Sequence, residues 1–216
     1  MLHRLRMATV VATTVSSLWL VGCQESSDTA TLTSAPTPVV SASEQLHDLF
    51  DRYRVENFEL NPMNAMFEGV MEYNHRLGDG LTDDYISQSL ALEARSLEAL
   101  EAIDRDQLNT ADQLSYDVFL YQRNSSQNYF ANGVALWEAQ IPVSQFFSLP
   151  NYLAVLGSGG ATQPFATVAD YDNWLGRMGE FSQWVDSAIG RMQEGMETGV
   201  VQPRVLIERT LPQLKA

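Results

Sequence analysis

TVADYDNWLGRMGEFSQWVDSAIGRMQEGMETG, residues 167–199, is the stretch whose reading decides the fold class. Tyr171, Trp174, Leu175, Met178, Phe181, Trp184, Val185, Ile189, Met192 and Met196 recur at steps of three and four. That spacing puts side chains on one face of an α-helix. Thr167 followed by Asp170 resembles a capping box with Asp in place of Glu, Gly199 is a natural C-cap, and Pro203 follows shortly after. The run therefore predicts one long helix whose aromatic and Met stripe forms a buried seam. The same stripe could line a ligand pocket, but a seam is the simpler use of it.

The neighbouring segments keep the helical period. Upstream, Gly133, Pro142, Pro150, Gly157, Gly159, Gly160 and Pro164 break residues 131–166 into loops with short helical turns. Thr110 opens a helix on which Leu114, Val118 and Tyr121 line up. Before it, Thr82 or Asp83 caps a long helix carrying Ile86, Leu90, Leu97, Leu100 and Ile103, and Leu77-Gly78-Asp79-Gly80 makes the turn that precedes it. Asn61-Pro62 restarts the chain, Pro suiting the first position of a helix that runs to about Glu72. Ser43 is the expected N-cap of a first helix bearing Leu46, Leu49, Phe50 and Tyr53. A last helix runs from about Arg204 into Leu211-Pro212-Gln213-Leu214-Lys215-Ala216, and because this end is amphipathic we expect a natural continuation beyond it. No alternating apolar and polar pattern persists, and no repeat of fixed period occurs. The expected fold class is mainly α, an array of amphipathic helices over residues 44–216.

Residues 1–23 have the layout of a targeting segment. His3, Arg4 and Arg6 form a basic n-region, Met7 to Leu20 an apolar h-region, and Leu20-Val21-Gly22-Cys23 resembles a bacterial lipobox. The h-region is too short to cross a bilayer core of about 30 Å. Cys23 is the only Cys in the chain, so it has no disulfide partner within it, and lipidation at its thiol is the expected modification. Several acyl chains on one Cys give stable anchoring, since each buried CH₂ contributes about 0.8 kcal/mol. Gln24 after the Cys, rather than Asp, points to the outer membrane of a Gram-negative envelope. Residues 24–43, rich in Ser, Thr, Ala and Pro, read as a flexible tether.

Composition narrows the partners. Apolar residues make up 45% of the chain, enough for a real core. The 27 acidic against 13 basic residues give a net charge of −14, and losing the leader removes Arg4 and Arg6 but no acid. Such a surface repels phosphate backbones and anionic headgroups, which argues against nucleic acid as a partner and against peripheral membrane binding by charge. Lys215 is the only Lys, and an acidic, Lys-poor surface suits high salt as well as ordinary secreted proteins.

Catalytic constellations are missing from the sequence. Of the three His, His3 leaves with the leader, and neither His47 nor His75 belongs to an H-E-x-x-H helix or stands near a Cys. His75 precedes Asp79, Asp83 and Asp84, but these read as a turn and a helix N-terminus rather than metal ligands. No G-x-S-x-G elbow exists, and Gly157-Ser158-Gly159-Gly160 lacks both the Lys of a P-loop and a preceding strand, so it reads as a flexible loop. Glu93, Glu98, Glu101, Asp104 and Asp106 are expected to form a solvated helix face, and Asp170 and Asp172 to sit in a first helical turn. No catalytic, cofactor-binding or metal residue is assigned.

The order of motifs does resemble a known family. Asn61-Pro62, Gly69, Tyr73-Asn74-His75-Arg76-Leu77-Gly78-Asp79, Ile103-Asp104, Leu108, Leu114-Ser115-Tyr116-Asp117, Thr167-Val168-Ala169-Asp170-Tyr171, Gly195 to Gly199 and Pro203 follow one another as in the N-terminal part of DUF885 proteins. These are bacterial proteins of several hundred residues, often lipoproteins, similar to helical zinc metallopeptidases with a H-E-x-x-P-G-H segment in the C-terminal half. The resemblance implies a mainly α region of a larger all-α metallopeptidase-like fold, and zinc and a peptide substrate for the full-length protein. Nothing in this chain matches the zinc segment, so the chain alone is expected to be inactive and to shape a substrate channel at most. The alternative is a non-catalytic helical lipoprotein serving as a binding or scaffold module. On the first reading the isolated chain exposes apolar faces and is expected to dissolve poorly.

Overall fold

A computed structural model describes residues 40–145 and 148–215. The leader with Cys23 and the tether up to residue 39 lie outside the described residues. Eight α-helices make up the rest: α1 (Ala42–Leu60), α2 (Pro62–Phe67), α3 (Asp83–Glu101), α4 (Thr110–Ala131), α5 (Val134–Ala139), α6 (Leu149–Gly157), α7 (Val168–Thr198) and α8 (Arg204–Thr210). Short 3₁₀ turns stand at Met71–Tyr73, Arg105–Gln107 and Gln213–Lys215. The only extended pairing among the described residues is an isolated bridge between Val143 and Ser148. The fold is mainly α.

Most helix starts follow the sequence signals. Thr82 caps α3 by accepting from the Tyr85 N–H, and Thr167 with Asp170 makes the full capping box of α7. Hydrogen bonds from Thr167, first among them its backbone N–H, hold the Asp170 carboxyl below the usual range. Gly199 closes α7 at φ +84°, in the left-handed region. The first helix differs: its N-cap is Ser41, not Ser43. Ser41 accepts from the Glu44 N–H at 3.2 Å while Glu44 accepts the Ser41 N–H at 2.9 Å. A cap at Ser43 would place Leu46 where the reciprocal carboxylate belongs, and Leu46 is needed in the core. The second helix also stops early, at Phe67 rather than about Glu72, because the chain turns at Gly69.

Two apolar clusters organise the helices. In the first, Leu46 and Leu49 of α1, Leu100 of α3 and Tyr116 and Phe119 of α4 pack together with Ile103 and Leu108. In the second, Trp184 and Ala188 of α7 meet Met66 of α2, Leu77, and Leu153 and Leu156 of α6. The helix α4 buries a different face from the one its apolar residues suggested, and α7 buries part of its expected seam. Leu114 and Tyr121 of α4 are 65% and 75% exposed, and α4 turns Asp112, Tyr116, Phe119 and Arg123 inward instead. Of the stripe on α7, Trp184 is buried and Trp174, Phe181 and Val185 pack against the second cluster, while Tyr171, Leu175, Ile189 and Met196 are exposed; Arg177, Ala188 and Gly195, outside the stripe, are buried. The helix has 31 residues, about 46 Å at 1.5 Å per residue, so several elements cover different sectors of it along its length.

The inward line of α7 is polar at regular intervals, and it holds the 74–83 segment in place. Arg177 is fully buried; its Nε donates to the Arg76 carbonyl at 2.9 Å, its Nη2 to Asn74 Oδ1 at 3.3 Å, and its Nη1 to Gln163. Glu180 Oε2 accepts the N–H groups of Leu77 and Gly78 at 2.6 and 2.9 Å. Ser187 donates to Asp79 Oδ2 at 2.5 Å, and Arg191 donates to the Leu81 carbonyl at 2.6 Å and pairs with Asp83. Gly176 lets the loop approach, since a Cβ there would stand 2.7 Å from the His75 carbonyl oxygen. Gly78, at φ +78°, is the one residue of the turn that must be left-handed, and a Cβ on it would stand 2.9 Å from Pro62 Cδ.

This clamp gives a local prediction. Glu180→Ala leaves two loop amides without their acceptor, each costing about 1–3 kcal/mol if it stays buried. The loop is therefore expected to open, and hydrogen exchange at Leu77 and Gly78 to accelerate while the α1–α3–α4 core keeps its protection. Unchanged exchange at those two amides would show that the carboxylate does not hold them.

Candidate functional site

Glu93 of α3 is the residue whose setting departs most from expectation. It belongs to no solvated face: it is 4% exposed, whereas Glu98, Glu101, Asp104 and Asp106 are exposed as anticipated. Its position explains this, for it lies four residues before Leu97 and seven before Leu100, on the face α3 turns inward. Arg123 stands on the matching face of α4, four residues after Phe119 and seven after Tyr116. Helical spacing from Leu97 and Leu100 was the available signal for Glu93, whereas two equally regular lines on α4 left none for Arg123.

The two side chains meet. Arg123 Nη1 donates to Glu93 Oε1 and Oε2 at 3.0 and 3.1 Å, and the Tyr53 hydroxyl of α1 donates to Oε1 at 3.1 Å. The guanidinium also lies 4.0 Å from the centre of the Tyr53 ring and 5.2 Å from that of Phe119. Burial pushes the Glu93 carboxyl up to about 7 and the Arg123 guanidinium down to about 10. Desolvation thus weighs against the charged forms even with the partner in reach, as is common for buried ion pairs.

Glu93 lines a cleft of about 400 Å³ between α1, α3 and α4. Asn57, Asn61 and Asn64 stand on one wall and Ser125 and Ser126 on the other. The Tyr85 hydroxyl donates to Asn61 Oδ1 at 2.8 Å, and Asn61 Nδ2 donates to Asn57 Oδ1 at 2.9 Å. Burial raises the Tyr85 phenol, with Ser89 and Asn61 opposing the shift. Ser89, also in the lining, is buried beside the Tyr85 hydroxyl. Tyr85 and Tyr129 separate this cleft from a second of about 500 Å³, lined also by Glu138 and Pro142. There the Tyr129 hydroxyl donates to Glu138 Oε2 at 2.7 Å, and burial with this bond raises the phenol strongly. Amides, hydroxyls and ring faces, with one carboxyl already engaged by two donors, make an arrangement suited to holding a ligand.

The residues weighed as metal ligands stay apart. His47 Nε2 is 3.0 Å from Asp112 Oδ1, with 61% of the His side chain exposed. Hydrogen bonds from Ser43 and His47, in that order, hold the Asp112 carboxyl low, while Asn109 reaches its other oxygen. His75 is exposed on the 74–78 loop, and Asp79, Asp83 and Asp84 serve the turn and the start of α3. Zinc needs three or four ligands at about 2.0–2.3 Å. Among the described residues no group of three His, Cys, Asp or Glu could hold an ion, so they do not fit zinc. Gly157 is the last residue of α6 and packs against the Trp174 ring, and Ser158-Gly159-Gly160 follow as a turn. Cys23, the expected lipidation site, lies outside the described residues.

Comparison with known proteins adds one finding. The family described as "Bacterial protein of unknown function (DUF885)" matches residues 62–216. No curated protein and no solved structure gives a significant match.

Proposed function

The chain belongs to the DUF885 family, and from that premise we propose that it is a lipid-anchored envelope protein forming the N-terminal helical part of a DUF885-type zinc peptidase. The observation that carries the anchor is Leu20-Val21-Gly22-Cys23 behind a basic n-region and a short apolar h-region. Acyl chains on Cys23 hold the protein at the membrane, and Gln24 favours the periplasmic face of the outer membrane. No described helix is long and apolar enough to cross a membrane.

The family match over residues 62–216 shows the membership, and the peptidase relationship rests on the resemblance of DUF885 proteins to helical zinc metallopeptidases. On this reading zinc and a peptide substrate belong to the full-length protein, whose C-terminal half carries the catalytic motif, and these helices wall the substrate's path. The exposed Leu114, Val118 and Tyr121 on α4 give further helices an apolar face to cover. The acidic surface argues against nucleic acid as a partner. A non-catalytic binding or scaffold lipoprotein is the second reading, and the amide- and hydroxyl-lined cleft between α1, α3 and α4 favours it.

Metabolic labelling with an alkyne-bearing palmitate tests the anchor. The wild-type chain is expected to take up label and sediment with membranes, and Cys23→Ser to lose both properties. Label persisting on Cys23→Ser, or an unlabelled wild type in the soluble fraction, overturns the lipidation. Supplied with zinc and a peptide library, the purified chain is expected to show no turnover; stoichiometric zinc together with hydrolysis would refute its dependence on a longer partner sequence.

A further inference from the structure

We propose that the cleft between α1, α3 and α4 is a binding site for a neutral saccharide. The polar groups facing it are uncharged on both walls, amides from Asn57 and Asn64 and hydroxyls from Ser125 and Ser126. The single charged side chain of its lining, Glu93, already accepts from Arg123 and Tyr53. A phosphate or a polyamine seated there would lose hydration without meeting a free counter-charge.

The rest of the lining matches a sugar ring. Tyr85, Tyr129 and Phe130 place aromatic rings in the same cleft as the amides and hydroxyls. A pyranose offers a rim of hydroxyls that donate and accept, and an apolar face of C–H groups that lies well against an aromatic ring. The two clefts that meet at Tyr85 and Tyr129, of about 400 and 500 Å³, leave room for one ring on each side. An extended peptide is the main competitor for a neutral polar cleft. Such peptides are commonly held by main-chain bonds to an exposed strand edge. Here the walls are helices whose backbone groups bond internally, so side chains alone do the recognising.

The proposal does not depend on the peptidase reading. Calorimetric titration of the full chain with N,N′-diacetylchitobiose, a neutral disaccharide with hydroxyls, amides and apolar ring faces, is expected to give a Kd of about 1 mM or tighter. Asn64→Ala removes a hydrogen-bonding group from the exposed rim and is expected to weaken binding about three- to tenfold. Ser126→Trp fills the space from the opposite wall and is expected to abolish it. Thermal melting of both variants close to that of the parent would confirm that they fold. Absence of binding by the parent well above the millimolar range overturns the proposal. So does parent-like binding by both variants, or tighter binding of N-acetyl-trialanine amide than of the disaccharide.

Discussion

Glu93→Leu is expected to cost about 3 kcal/mol or more of unfolding free energy, read from the midpoint of a denaturant titration. The change strips Arg123 Nη1 of both its acceptors while the guanidinium remains buried between Tyr53 and Phe119. It also leaves the Tyr53 hydroxyl without its acceptor. The double variant Glu93→Leu, Arg123→Met is expected to recover most of the loss, because an apolar pair of similar volume avoids desolvating two ions. If the single and double variants were equally destabilised, the pair would not be the cause. The pH dependence carries a second signature. Burial raises the Glu93 carboxyl from 4.5 to about 7, so the folded state binds a proton that the unfolded state lacks between those values. The contribution is fully present below about 4.5 and is lost as pH rises through about 7. Relative to Glu93→Gln, which cannot titrate, the wild type is therefore expected to gain stability as pH falls across that window. A constant difference would exclude a raised carboxyl.

Arg177→Met is the second large effect, expected at about 3 kcal/mol. Three neutral acceptors, Arg76 O, Asn74 Oδ1 and Gln163 Oε1, converge on this one guanidinium, and Met66 Sδ lies 3.0 Å from Nη1. Each buried acceptor left unpaired costs about 1–3 kcal/mol, which outweighs the relief of removing a cation whose guanidinium burial pushes down to about 10. Arg177→Lys is expected to fail as well, since a single ammonium cannot span acceptors placed around a planar fork. Denaturant unfolding checks both. A Met variant as stable as the wild type would mean that the buried charge costs as much as its hydrogen bonds return.

The contrast between α3 and α4 shows what local pattern could and could not convey. Thr82 as cap, Leu97 and Leu100 inward, and the chain's mainly α character were all legible, because caps and the helical period act within a few residues. The face of α4 was not. Leu114, Val118 and Tyr121 form as regular a line as Tyr116, Phe119 and Arg123, and only contact with α1 and α3 selects the second. The candidate site suffered from the same blindness. Glu93 read as solvated because carboxylates usually are, and its burial depends on an Arg thirty positions away on another helix.

Taken by itself, the amino-acid sequence determined the helical class, the start of α3, both ends of α7 and the kinship of the chain, since these follow from short-range spacing and the order of motifs. The tertiary structure alone decided which face of α4 is inside, that α7 holds the 74–83 segment through Arg177, Glu180, Ser187 and Arg191, and that Glu93 and Arg123 meet beside a cleft lined by amides and hydroxyls. The reason is physical. A helix forms from the groups within one turn of each residue, but what a side chain gains or loses by burial depends on residues that only folding brings near.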